Sequence, residues 1–140
     1  MEAFKYRDEL KQRTKQFTLR IIKLYQSLPK TAEAQIIGKQ LFRAATSVGA
    51  NYRAACRARS NAEFHSKISI VIEEADATMF WMELLWEADI IKQALLQNLY
   101  SENEELLKIM IVSRKNSEKN KLNYSIIQLL NYSITQLLIL

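Results

Sequence analysis

Apolar residues recur along the first 115 positions in steps of three and four, the spacing that lines them up on one side of a helix. Leu10, Phe17, Ile21, Leu24 and Leu28 form the first such run. Pro29 closes it, because a proline pushes the preceding residue out of helical geometry and supplies no amide donor. The pattern resumes with Ile37, Leu41, Ala44, Val48, Tyr52 and Ala55, and again with Phe64, Ile68, Val71, Ala75, Thr78, Met82 and Leu85. Ser60-Asn-Ala-Glu63 and Ser101-Glu-Asn-Glu104 both have the form of a capping box, and the second leads into Leu106, Ile109, Met110 and Ser113. Helices are therefore predicted near 5–27, 31–58, 61–98 and 102–119, the third running unbroken for roughly 55 Å at ~1.5 Å per residue. Short connections between them favour an all-α, antiparallel up-and-down four-helix bundle.

Two departures from a simple amphipathic pattern matter. The third run has a second set of apolar positions, Ile70, Ala77, Trp81, Leu84, Ala88 and Ile91, so it is expected to be buried on more than one side, with another subunit covering the surplus. The second run has Gly38 and Gly49 inside it, where glycine weakens a helix, so close packing is the expected reason for them. Two glycines and one proline in 140 residues otherwise fit long helices and leave too few turn residues for a sheet protein.

Beyond position 120 the pattern changes. Leu122-Asn-Tyr-Ser-Ile-Ile-Gln-Leu129 is followed by Leu130-Asn-Tyr-Ser-Ile-Thr-Gln-Leu137, an eight-residue repeat with one mismatch. Eight residues match neither a helical face nor a heptad. Residues 122–140 carry no charge but include seven Asn, Ser, Thr or Gln, which argues against a membrane span. The chain thus reads as a bundle domain over 1–120 and a repeat-derived tail over 121–140 outside the core, disordered, helical by chance or aggregation-prone.

Charge is segregated along the chain. Residues 1–60 hold 13 Lys/Arg against 4 Asp/Glu, residues 61–112 hold 3 against 10, and the remainder 4 against 1. A basic side suits phosphate, unless the two halves cover each other. Lys39, Arg43, Arg53 and Arg57 fall near one face of the second helix, with Arg59 just beyond. Arg20 and Lys23 share a face of the first with Arg13, beside Lys11 and Lys15. These residues either bind anions or bridge to the acidic third helix. Glu73, Asp76, Glu83 and Glu87 form an acidic stripe there, read as a solvated face or a partner for arginines.

Enzymatic chemistry has little to stand on. A paired-iron site would need two Glu-x-x-His motifs, and the one histidine, His65, has no glutamate three residues before it. No Gly-rich phosphate loop or histidine-centred constellation is present, so neither a metal, a cofactor nor an enzyme is expected. The single Cys56 excludes an internal disulfide and fits a packed small residue in a reducing cytoplasm, and the charges from Glu2 to Lys15 leave no signal-peptide core.

The run Gly38-Lys-Gln-Leu-Phe-Arg-Ala-Ala-Thr-Ser-Val-Gly-Ala-Asn51, with Arg57-Ala-Arg-Ser60, Glu63-Phe64, Leu28-Pro29, Glu74-Ala75 and Phe80-Trp-Met-Glu-Leu84, resembles the four-helix-bundle proteins encoded in bacterial 23S rRNA intervening sequences. The resemblance spans roughly residues 5–115 and leaves out the repeat. It implies an up-and-down bundle assembling into a homopentamer, with no enzymatic activity. A related branch, the accessory proteins of diversity-generating retroelements, implies nucleic-acid binding through a basic surface and association with a reverse transcriptase. Carried to this chain, that role falls on Arg43, Arg53, Arg57 and Arg59, with Lys39, Arg20 and Lys23 assisting. The expected ligand is RNA, held by its phosphates. The alternative is a protein-interaction scaffold whose arginines take acidic helices.

Overall fold

The structure, a computed structural model, describes residues 2–139, so Met1 and Leu140, the outer ends of the two expected segments, lie outside it. Four helices follow one another: α1 Glu2–Ser27, α2 Ala32–Ala55, α3 Asn61–Glu87 and α4 Gln93–Ile139. Among the described residues there is no strand. Each helix packs on its neighbours in sequence and α4 closes back on α1, while α1 and α3, like α2 and α4, lie diagonally opposite without backbone contact. With connections of four or five residues, this is the up-and-down bundle that the spacing predicted.

The helix starts follow from local chemistry. The Thr31 side chain accepts a hydrogen bond from the Ala34 amide at the head of α2, and Ser60 accepts one from Glu63 at the head of α3. Glu63 in turn accepts the Arg59 amide at 2.9 Å, so the first capping box is formed, reaching one residue further back than its usual partner.

The core is the predicted seam. Leu10, Phe17, Ile21 and Leu28 meet Leu41, Val48, Tyr52, Ile68, Val71, Met82, Leu85, Leu106 and Met110, all buried. The contact between α2 and α3 is the most extensive, and α2 brings to the core Leu41, Val48 and Tyr52 with the small Ala34, Ala44, Ala45 and Ala55 between them. The glycines of α2 face α1 and the residue just beyond it. A methyl group on Gly38 would clash with Leu28 Cδ1 and lie 3.1 Å from Tyr25, and one on Gly49 would lie 3.2 Å from Thr18 Oγ1. Between α3 and α4, Asn103 is fully buried and donates to the Ala75 carbonyl at 2.8 Å, while its Oδ1 meets no donor. A polar group in this seam fixes register, since sliding by a turn would take its amide nitrogen from the Ala75 carbonyl and leave it buried without a partner.

Four expectations need correction. α3 does not run on to 98 but ends at Glu87, after 27 residues. Asp89 takes φ 57°, its amide bonds the Trp86 carbonyl and the Ile90 amide bonds that of Leu85, the two hydrogen bonds of a Schellman turn. Asp is among the few non-glycine residues that enter this conformation readily, so no glycine or proline announced the turn. Ile90 and Ile91 fold back onto the core. Second, Ser101 caps nothing: α4 begins eight residues earlier, and Ser101 lies exposed inside it, accepting from Gln97 at 3.2 Å. Third, α4 does not end near 119 but continues as helix to Ile139, every described residue from Glu118 onward exposed. Fourth, α2 stops at Ala55 and not at 58, in a short series of turns.

Gly38→Ala should destabilise the bundle by roughly 1 kcal/mol, because overpacking against buried Leu28 outweighs the gain in helix propensity. Urea unfolding measures this, and a stabilised variant would show that Leu28 has room to move. Ending the chain after Asn120 should leave the denaturation midpoint of the bundle unchanged, since the residues removed bury nothing in it.

Candidate nucleic-acid interface

The close approach of α1 and α2 leaves a groove of about 500 Å³ along their outer side. Its floor is small: Thr14 and Thr18 from α1, Thr46, Gly49 and Ala50 from α2. Its walls are basic. Lys11 and Lys15 stand one turn apart on α1, and Arg53 from the last turn of α2 and Arg57 from the turn that follows it line the groove with them. Lys11 is paired with Asp8 at 2.7 Å. Lys15, Arg53 and Arg57 make no ion pair among the described residues, so the groove concentrates cationic charge that the fold itself does not use.

The other basic residues singled out from the sequence are dispersed. Arg43 is on α2 but turns to α3, where its Nη1 lies 3.2 Å from a Glu74 carboxylate oxygen. Lys39 is exposed on α2 about 21 Å from Arg53 at ~1.5 Å per residue. Arg59 is exposed in the α2–α3 connection, two residues past Arg57. Arg20 and Lys23 are exposed outside the groove: Arg20 lies two turns beyond Arg13, on the side of α1 that faces α4. Arg13 itself is occupied by Glu102 of α4 in a two-pronged pair at 3.0 and 3.1 Å, with Glu105 at 3.3 Å. These carboxylates, above all the hydrogen-bonded Glu102, raise its pKa further.

The profile of the 23S rRNA-intervening sequence protein family matches residues 8–112. The chain belongs to that family. A solved structure of a protein of unknown function from the S23 ribosomal protein family of Bacteroides thetaiotaomicron VPI-5482 is similar, at 33% identity and a TM-score of 0.71. The match covers 76% of this chain and 98% of that one. A search of curated proteins found none that matches.

In this intervening-sequence protein the matched region contains both walls of the groove. Sequence reasoning placed Lys11 and Lys15 beside the stripe without choosing them. The signal for them was on α2: Gly49 and Ala50 mark where α1 comes close, and the α1 residues opposite are Thr14 and Thr18, flanked by those lysines.

The acidic helix is less uniform than its stripe. Glu73, Asp76 and Glu87 are exposed, Glu83 is occupied by the Tyr100 hydroxyl at 2.7 Å, and Glu74, outside the stripe, takes Arg43. His65 Nε2 lies 2.9 Å from Glu118, which holds that carboxyl below its usual range. Cys56 is half-buried beside Tyr52, whose phenol is pushed up by burial and further by the thiol. Among the described residues no group of three His, Cys, Asp or Glu could hold a metal ion, and no helix is long and apolar enough to cross a membrane.

The hydrogen bond to Glu83, with desolvation, pushes the Tyr100 phenol up to about 12. A folded pKa above the unfolded value stabilises in full below about pH 10, and that contribution is lost as the pH rises towards 12. Tyr100→Phe should therefore lower stability near neutrality by roughly 1 kcal/mol. Denaturant titrations of both proteins at increasing alkaline pH should show the gap narrowing, and a constant gap would mean that the hydrogen bond is not its source.

Proposed function

We propose that this family member is a non-enzymatic nucleic-acid-binding protein of the cytoplasm, with RNA as its expected ligand, acting as a homo-oligomer with a basic surface. The observation that carries the reading is the convergence of Lys15, Arg53 and Arg57 on one groove without carboxylate partners. Lys39, Arg59, Arg20 and Lys23 would extend the basic surface around it. Arg43 contributes less, since it would first have to leave Glu74. Contacts of this kind hold phosphates and carry little base specificity. An association with a reverse transcriptase would fit the same role.

Oligomerisation would repeat the groove, so that weak single contacts add through multivalency. Its support is the outer face of α3, where Phe80 is 49% exposed, and Ile36 of α2, at 64%. Part of the apolar surplus read from the sequence is covered within the chain, as Trp81 and Ile91 pack against the core. Ile70, Ala77 and Leu84 remain half-buried on α3. A pentamer is the size that the family resemblance implies. The second reading, a scaffold for acidic helices, has a specific support of its own: Arg13 and Arg43 already hold carboxylates from α4 and α3.

Salt titration separates the two. Affinity for RNA should fall with salt by about 0.7 to 0.9 log units per log unit of salt for each phosphate held. Arg53→Ala/Arg57→Ala should remove roughly two such contacts, while binding of an acidic peptide by the same groove without RNA binding would favour the scaffold. Light scattering of a chain ending at Asn120 should give an oligomer that Phe80→Glu dissociates, and a wild-type monomer at micromolar concentration would defeat the assembly reading.

A further inference from the structure

The groove has a shape that narrows its ligand. We infer that it seats the backbone of a single strand, two neighbouring phosphates at a time, and that a duplex meets only its rim; this rests on the nucleic-acid reading above. The floor offers no donors. Thr14 Oγ1 donates to the Lys11 carbonyl at 3.0 Å, Thr18 Oγ1 lies 2.9 Å from the Thr14 carbonyl and 3.3 Å from that of Ala45, and Thr46 Oγ1 lies 2.9 Å from those of Phe42 and Arg43. Apart from the Gln12 amide, which also lines the groove, recognition therefore falls to the cations on the walls, which sense charge and not base identity.

Their spacing is the second point. Lys11 and Lys15 lie four positions apart, about 6 Å along α1, and Arg53 in the last turn of α2 and Arg57 in the turn after it line the groove with them; with Lys11 shared with Asp8, Lys15, Arg53 and Arg57 remain, enough to hold two adjacent phosphates. The third point is breadth. Gly49 lets α1 and α2 close on each other, and the resulting space of about 500 Å³ is of small-ligand size. A strand can lower its phosphates into this space, whereas the two strands of a duplex are too broad to enter. Leu19, 44% exposed in the lining, gives a sugar or base an apolar surface, and the Asp8 carboxylate discourages a further phosphate on the α1 side.

The test is fluorescence anisotropy on the full chain, using a labelled single-stranded RNA, the duplex of the same sequence, and inorganic pyrophosphate as competitor. Ala50→Glu places a carboxylate in the groove from an exposed helical position, and circular dichroism checks its fold. The strand should bind about tenfold more tightly than the duplex, Ala50→Glu should weaken it about tenfold, and pyrophosphate should displace it. Equal binding of strand and duplex, both weakened by Ala50→Glu, overturns the strand preference and leaves the nucleic-acid reading standing. Pyrophosphate binding without RNA binding overturns both, leaving a site for free diphosphates. Unchanged strand binding by a folded Ala50→Glu variant overturns the groove as the site.

Discussion

The bundle depends on how closely α2 can approach the helices on either side. Buried alanines along its core face and glycines on its α1 side let its backbone come close to its neighbours. These small residues contribute little apolar area themselves, and their value lies in letting Leu41, Val48 and Tyr52 of α2 pack with Leu28, Val71, Met82 and Leu85. The same thinness creates the groove: where α2 has Thr46, Gly49 and Ala50, no side chain rises between the basic walls. Packing and the candidate site therefore share one cause, and a larger residue on that face would alter both.

Folding also redistributes the charge that the sequence keeps apart. The acidic half does not simply face solvent: Glu74, Glu102 and Glu105 turn to arginines of α1 and α2. Exposed pairs of this sort contribute little stability, but they decide which cations stay available. Arg13 and Arg43 are occupied, and what remains free in the groove is Lys15, Arg53 and Arg57.

The seam residues of the first three helices were legible in the sequence because burial and helical period coincide there, as at Ile68, Val71, Ala75, Thr78, Met82 and Leu85, whereas on α4 only Leu106 and Met110 were read and Leu96, Leu99 and Asn103 were not. The break after α3 was not, because it rests on the backbone of Asp89, and aspartate there also continues an amphipathic pattern plausibly. Ser101-Glu-Asn-Glu104 misled for the complementary reason: a capping box is a local pattern that an uninterrupted helix can also contain, and Leu96 and Leu99 before it are core residues. For the site, the sequence revealed a surplus of basic residues but not their pairing. Which arginine meets a carboxylate depends on contacts between residues 31 and 89 positions apart, beyond the reach of spacing along one helix.

The order of contacts has a consequence for how the molecule forms and opens. Three of the four helix pairs join neighbours in sequence, while the seam between α1 and α4 is the least extensive and joins the two ends of the bundle. Loop-closure entropy falls mainly on that last pairing, so hairpins of adjacent helices can assemble early and rapidly, with α1 and α4 meeting last. The native bundle then has a line along which it parts most easily, fastened by Arg13 with Glu102 and Glu105. α1, which supplies one wall of the groove, is the helix with the most freedom to swing.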